Sequence, residues 1–315
     1  MSSSRSSPAE IRRTVATWRR ILRITLLSLG GLAAVLGLSA AGFWYWYTHR
    51  ERPPAVHRPL TRGVTYVREV LDAPRPIVLH IVRVELATRG LHFQVTPGDP
   101  SLRRPLMART TSGFMTEFDL DVAVNGDFFE PWHSSMPWDY YPHVGDPVSV
   151  LGFASSRGVI YAMGGAARPR PTLFLSADGR ASFGDPIGPI YDAISGDRLF
   201  VRNGALAPEL AEWRGRRATH PRTALALDRG SRHLIIIVVD GRQPNYSEGV
   251  TLAELADIVV AHGGETALNL DGGGSTTLAA KVDGRVEVLN SPIHTRWPGR
   301  ERPVANHLGL RISGP

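Results

Sequence analysis

Cysteine is absent from the 315 residues, so disulfides and thiolate metal sites are excluded. Lysine is nearly absent: Lys281 is the only one, and every other side-chain cation of that class is an arginine. His133, His143 and His294 are scattered without metal-ligand spacing, which leaves them as ordinary loop residues. No internal repeat is visible. Excess charge is also missing from most of the chain. The formal net charge is +7, yet seven arginines against Glu10 place +6 of it within residues 1–50. The remainder is nearly neutral, which disfavours a phosphate-tracking face and therefore nucleic acid as a partner.

What is present at the N-terminus is an uncharged run over residues 24–47, about 24 residues where roughly 20 suffice to cross the hydrocarbon core. It ends in Phe43-Trp44-Tyr45-Trp46-Tyr47, aromatics suited to a membrane interface. Arg12, Arg13, Arg19, Arg20 and Arg23 precede it. The positive-inside rule places the N-terminus in the cytoplasm and the chain after Thr48 outside, as a single-pass plasma-membrane protein. A cleaved signal is the alternative, with Ser39-Ala40-Ala41 as a cleavage site and Arg19-Arg20 as a faint twin-arginine feature. Both readings export the main domain. The expected organisation is a cytoplasmic basic tail over 1–23, a transmembrane helix over 24–47, a stiff proline-bearing linker over 48–63 and one folded domain over 64–315.

Within that domain, residues 77–86 and 91–95 read as strands, and 122–124 as a short apolar strand. Residues 132–150, rich in proline, aromatics and histidine, read as a long loop or lid. Asp178-Gly179, Asp228-Arg229-Gly230-Ser231 and Asp283-Gly284 each sit between apolar runs and signal hairpins. The run 234–239 is apolar throughout, as in a strand buried on both faces. Residues 251–262 form the clearest helix: Thr251 and Glu254 make a capping box, the apolar residues share one face, and Gly263 supplies a left-handed stop. Hairpins outnumber helices. The predicted class is α+β, a mixed, largely antiparallel sheet with few flanking helices, preceded by one transmembrane helix.

Three strands end in a polar group beside glycine: Asn125-Gly126-Asp127, Asp240-Gly241-Arg242 and Asn269-Leu270-Asp271-Gly272. Such ends hold a carboxylate or amide at a cleft where a ligand can approach backbone, although Asp-Gly also serves plain turns. Asp271-Gly272-Gly273-Gly274-Ser275 is more unusual. Consecutive amides of such a loop can form an anion-binding nest, and a carboxylate at its edge suits a nucleophile, a base or a metal ligand beside that anion. No P-loop lysine accompanies it, which disfavours nucleotides. Arg222 either clamps a phosphate or carboxylate bidentately or lies exposed. The run from Glu301 and Arg302 to Asn306 and His307 serves either a site or a strand edge. The glycines leave room for a divalent cation, but no metal ligand or cofactor is assigned.

Together these segments resemble the phosphodiester glycosidase family. The matching stretches are 122–129, 220–224, 239–242 with 247–249, 267–275 and 301–306, in the family's order, and the resemblance covers residues 77–312. It implies a hydrolase that cleaves the bond between a sugar's anomeric carbon and a phosphodiester oxygen, with a glycan phosphodiester as partner. The cysteine-rich regions of the animal member are lacking and the anchor is N-terminal, which fits an exported or envelope glycan better than the animal substrate. The working assignment gives the phosphate to Arg222 and to the amides of Gly272, Gly273, Gly274 and Ser275. Asp271 faces the anomeric centre as nucleophile or as base for water, Asp240 is the second carboxylate, and Asn125 and Asn306 orient sugar hydroxyls. Asp127, Arg242, Asn269, Glu301 and Arg302 complete the expected substrate contacts. Two other classes remain open: a non-catalytic glycan- or anionic-polymer-binding module, stacking sugars on Trp132, Trp138, Tyr140 and Tyr141, and an envelope scaffold.

Overall fold

The computed structural model describes residues 8–165, 169–210 and 218–314. The chain divides into two units, 1–50 and 51–315. The first is a single helix, α1 (Pro8–Thr48). Of the expected basic tail, residues 1–7 lie outside the described residues. The rest belongs to α1, because proline is tolerated in a first turn and no breaker separates the arginines from the apolar run. Its segment Ala16–Thr48 is long and apolar enough to cross a membrane.

The second unit is built around two sheets, with strands β1 (Val56–Thr61), β2 (Val64–Leu71), β3 (Ile77–Glu85), β4 (Leu91–Val95), β5 (Val122–Asn125), β6 (Arg198–Arg202), β7 (Ala205–Leu206), β8 (Arg222–Asp228), β9 (His233–Val239), β10 (Gly264–Asn269), β11 (Leu278–Val282), β12 (Arg285–Val288) and β13 (His307–Ile312). The larger sheet runs β1-β2-β3-β9-β8-β10-β6-β7 and the smaller β12-β11-β5-β13-β4. All pairings within both are antiparallel. Among the described residues there are two further α-helices, α2 (Thr111–Glu117) and α3 (Leu252–Ala261). The class is α+β, as the hairpin-rich pattern predicts.

The apolar run of β9 shows why the layers stack as they do. Leu234, Ile236 and Val238 join the core between the two sheets, where Leu278, Leu308 and Leu310 of the smaller sheet meet them. Ile235, Ile237 and Val239 point the other way, into a second core with Leu252, Leu255 and Val259 of α3. A strand apolar at every position thus satisfies both faces. Beneath the smaller sheet, Phe114 and Met115 of α2 pack on Ala123 and Ala279. A third, five-stranded sheet that includes Phe153–Ser156, Thr172–Leu175 and Asp192–Ser195 adds Leu173 and Ile194 to the central core.

The local signals hold in detail. Thr251 and Glu254 form the reciprocal capping box of α3, and Gly263 follows it at φ +83°. The β11–β12 turn takes Asp283 and Gly284 at φ +49° and +77°, the left-handed pair of a tight hairpin. Two expectations change. The span 48–63, read as linker, contains β1, whose Pro59 is accommodated because β1 is a sheet edge. The span 132–150, read as loop, contains a small hairpin, His133–Met136 with Asp139–Tyr141, and the strand Pro147–Val150. All four residues of the strand His133–Met136 are exposed, so no burial pattern marks it in the sequence.

Register brings the polar strand ends to one edge of the larger sheet. Arg222, opening β8, pairs with Val239, closing β9. Ala224 pairs with Asn269, closing β10. Antiparallel neighbours place the start of one strand beside the ends of the others, so Arg222, Asp240 and the segment 270–275 emerge together.

Candidate active site

A cleft of about 410 Å³ opens at that edge. It is lined by the segment Asn269, Leu270, Asp271, Gly272, Gly273 and Gly274, by Phe128, Phe129 and Trp132, and by His220, Pro221, Arg222, Arg242 and Arg302. Asp271 is the only carboxylate among the described residues that line it.

The glycine run is a steric requirement. A Cβ on Gly272 would stand 2.8 Å from the Pro221 carbonyl oxygen, and one on Gly274 would stand 2.4 Å from an Arg302 nitrogen. Gly273 sits at φ +63°, where an L side chain is strained. These amides are largely engaged within the protein. Gly272 N donates to Asp271 Oδ1 at 2.9 Å, Gly273 N to Pro221 O at 2.9 Å and Ser275 N to Gly272 O at 3.2 Å. The loop therefore shapes the cleft, and the positive charge facing a ligand comes from side chains.

Three arginines supply it. Arg302 donates through Nη1 to Ser275 Oγ at 3.2 Å and through Nε to His294 Nδ1 at 3.2 Å, and its guanidinium lies 5.5 Å from the Trp132 ring centre. Arg242, at φ +61°, approaches His220 Nδ1 at 3.3 Å. Arg222 is buried, donating to Val250 O at 3.3 Å and Ala218 O at 2.9 Å. Desolvation pulls all three below the usual arginine range; the Asp271 charge opposes this for Arg242 and Arg302, and Asp197 does so for Arg222. Asp271, half-buried, is pushed up by desolvation, against a hydrogen bond from Ser275, the Arg302 charge, the Gly272 amide and Arg242. Three desolvated cations against one carboxylate leave positive charge over, which suits an anionic ligand.

Other expected site residues lie outside this lining. Asp240 is fully buried. Its Oδ1 accepts from Asn290 Nδ2 at 3.0 Å and Ser291 N at 2.9 Å, and its Oδ2 meets His80 Nε2 at 3.3 Å. The structure does not bring it to the cleft. Asn125 is buried, donating to the Asp271 carbonyl at 2.8 Å and accepting from Thr223 Oγ1 at 2.8 Å and Thr277 N at 3.1 Å. It ties the two sheets beneath Asp271. Asn306, also buried, accepts from Asp127 N at 2.9 Å. Glu301 accepts from Ser112 N at 3.0 Å and Ser112 Oγ at 2.5 Å, holding α2. Asn269 does line the cleft. Its Nδ2 donates to Asp197 Oδ1 at 2.8 Å, while its Oδ1 has no hydrogen-bond partner.

Asp127 is buried just behind Phe128. Its Oδ2 accepts from Gly152 N at 2.7 Å and its Oδ1 from Phe128 N at 2.8 Å. Burial pushes its carboxyl up to about 7, against the pull of Arg170 and those two amides. A carboxyl raised in the folded state binds its proton more tightly there than in the unfolded chain. Stability is therefore greatest below the ordinary aspartate value, about 4, and declines as pH rises towards about 7. Asp127→Asn is expected to flatten that decline. It also faces an amide NH2 against a backbone N–H, lowering stability by about 1–3 kcal/mol at mildly acidic pH. Urea unfolding across the pH range checks both.

Sequence reasoning passed over several groups around the cleft. Phe128, Phe129 and Leu270 line it within motifs whose polar members drew attention. His220 is held below the usual histidine range by desolvation, then by Arg242 and Arg222, and is thus a neutral ring in the lining. His294 is buried, not an ordinary loop residue. Burial, then Arg302 and Arg300, push it down to about 3, so it accepts from Arg302. Its spacing from Arg302 carried no signal. Among the described residues no group of three or more His, Asp or Glu side chains is placed to hold a metal ion.

The family model for phosphodiester glycosidases matches residues 118–311. The chain belongs to the phosphodiester glycosidase family. Its fold is similar to that of a hypothetical protein from Synechocystis, with TM-score 0.62 and 16% identity over 84% of this chain and 64% of that one. This chain thus spans under two thirds of that protein. It is also similar to the catalytic domain of zebrafish N-acetylglucosamine-1-phosphodiester alpha-N-acetylglucosaminidase, with TM-score 0.58 and 22% identity over 84% of this chain and 85% of that one. No curated protein matches the sequence significantly.

Proposed function

We propose that this phosphodiester glycosidase hydrolyses the sugar C1–O–phosphate bond of a glycan phosphodiester, outside the cytoplasm, on a membrane tether formed by α1. The arginines before the apolar segment give the orientation, by the positive-inside rule. The observation that carries the catalytic reading is one carboxylate, Asp271, lining the same cleft as Arg222, Arg242 and Arg302.

The arginines hold the phosphate by charge-assisted hydrogen bonds. Asp271 faces the anomeric carbon, as nucleophile or as base for water, and stabilises the oxocarbenium-like transition state. A glycosidase usually pairs two carboxylates, one of them protonating the departing oxygen. A phosphate monoester leaves readily without full protonation, so one carboxylate facing cations is sufficient machinery. Trp132, exposed where it lines the cleft, offers apolar surface to a sugar ring.

The test is hydrolysis of sugar-1-phosphodiesters by the full-length protein in detergent micelles, in water enriched in heavy oxygen. The expected products are a reducing sugar that carries the heavy oxygen and an unlabelled phosphate monoester. Label in the phosphate would mark P–O cleavage and refute the glycosidase reading. Binding without release of product would favour a binding module.

A further inference from the structure

The aromatic lining of the cleft does not end at Trp132. Its ring meets Tyr140 at 5.8 Å between centres, and Tyr140 meets His294 edge-on at 5.6 Å. Beyond Tyr140 lies a second concavity of about 440 Å³, lined by Ser134, Ser135, Met136, Pro137, Tyr140 and Arg296. Contacts run from Arg302 to Trp132, from Trp132 to Tyr140, and Tyr140 lines this concavity.

The hairpin that builds it has no apolar core of its own. Trp132, Met136 and Trp138 are 51%, 52% and 67% exposed, an arrangement that a short hairpin in water does not favour. It is braced by contacts within itself and to the segment that follows it. His143 bridges Asp139 at 2.7 Å and Asp146 at 3.2 Å, Tyr141 Oη donates to Pro147 O at 3.1 Å, and His133 stacks on Tyr141 at 4.9 Å. A braced surface with exposed aromatic side chains, serine hydroxyls and an arginine matches the mixed apolar and hydroxyl faces of a sugar ring.

Resting on the hydrolase reading, we propose that this concavity is a saccharide subsite for the far side of the scissile phosphodiester. The substrate is then a glycan whose chain continues beyond the phosphate, across Trp132 and onto Tyr140. The direction follows from that reading and the contact between Arg302 and Trp132: Asp271 faces the anomeric carbon to be attacked, Arg302 holds the phosphate, and the Arg302 guanidinium lies over the Trp132 ring, which leads to Tyr140.

The experiment compares two substrates of the full-length protein in micelles, one sugar-1-phosphate esterified to methanol and one esterified to a disaccharide. The disaccharide ester is expected to have a kcat/KM at least about tenfold higher, the equivalent of one good stacking contact. In Tyr140→Ala that ratio should fall to near one. A ratio near one in the wild type, or an undiminished ratio in the variant, overturns the proposal. If neither substrate is turned over, the hydrolase reading has failed and the subsite is read separately. Neutral oligosaccharides should then quench tryptophan fluorescence in the wild type and not in Tyr140→Ala. Failure to quench overturns the subsite as well.

Discussion

Asp271→Asn is expected to lower kcat by about 10³-fold or more, within the usual worth of a positioned acid–base or nucleophilic group, while the substrate binds at least as tightly. The substitution keeps shape and removes charge. The backbone at this position does not depend on the carboxylate, because Asn125 Nδ2 holds the Asp271 carbonyl, and Asp271 N donates to Gly126 O at 3.1 Å. Arg242 and Arg302 lose the carboxylate whose charge favours them, so an incoming phosphate meets a more positive cleft. A fall in kcat together with a fall in Kd separates chemistry from binding. The wild-type profile should show the complementary sign. Desolvation raises the Asp271 carboxyl, so activity that needs the carboxylate should fail, as pH drops, at a value above the ordinary aspartate range. Retention of full turnover in Asp271→Asn would remove Asp271 from the reaction.

Asp240 and Asp271 show where sequence stops informing. Both follow a strand and precede glycine, and although only Asp271 opens a glycine run, nothing local says which carboxylate reaches a cleft. What separates them is distant in the chain: Asn290 and Ser291 fill one oxygen of Asp240 and His80 meets the other, whereas arginines and a cleft surround Asp271. The glycine run gave a similar half-answer. Composition announced a special loop, but the engagement of Gly273 N by the Pro221 carbonyl depends on how the segment before β8 lies against the loop. Features written in neighbouring residues were legible: the capping box of α3, the Asp283-Gly284 turn and the two-faced β9. The exposed hairpin beside the cleft was not, because a strand that buries nothing leaves no periodic signature.

The arginines should prove unequal, and Arg302 the most costly to lose. Arg302→Gln is expected to reduce kcat/KM by about 10²–10³-fold, the range found when one preorganised donor to a developing anion is removed. It should also move the acid limb of the pH profile. The Arg302 charge holds the Asp271 carboxyl down against desolvation, so its removal lets that carboxyl rise further and shifts the limb to higher pH. His294, now below its usual range partly because of Arg302, should rise too, which proton NMR of the histidine rings can follow. Arg222→Gln is the contrast. Its guanidinium is tied to Val250 O and Ala218 O, and the carboxylate that acts on it is Asp197. It should weaken phosphate binding while leaving the acid limb close to the wild-type position. If both variants lose activity with no difference in their pH profiles, the arginines act only as a diffuse positive field. The specific pairing of Arg302 with Asp271 would then have no part in the chemistry.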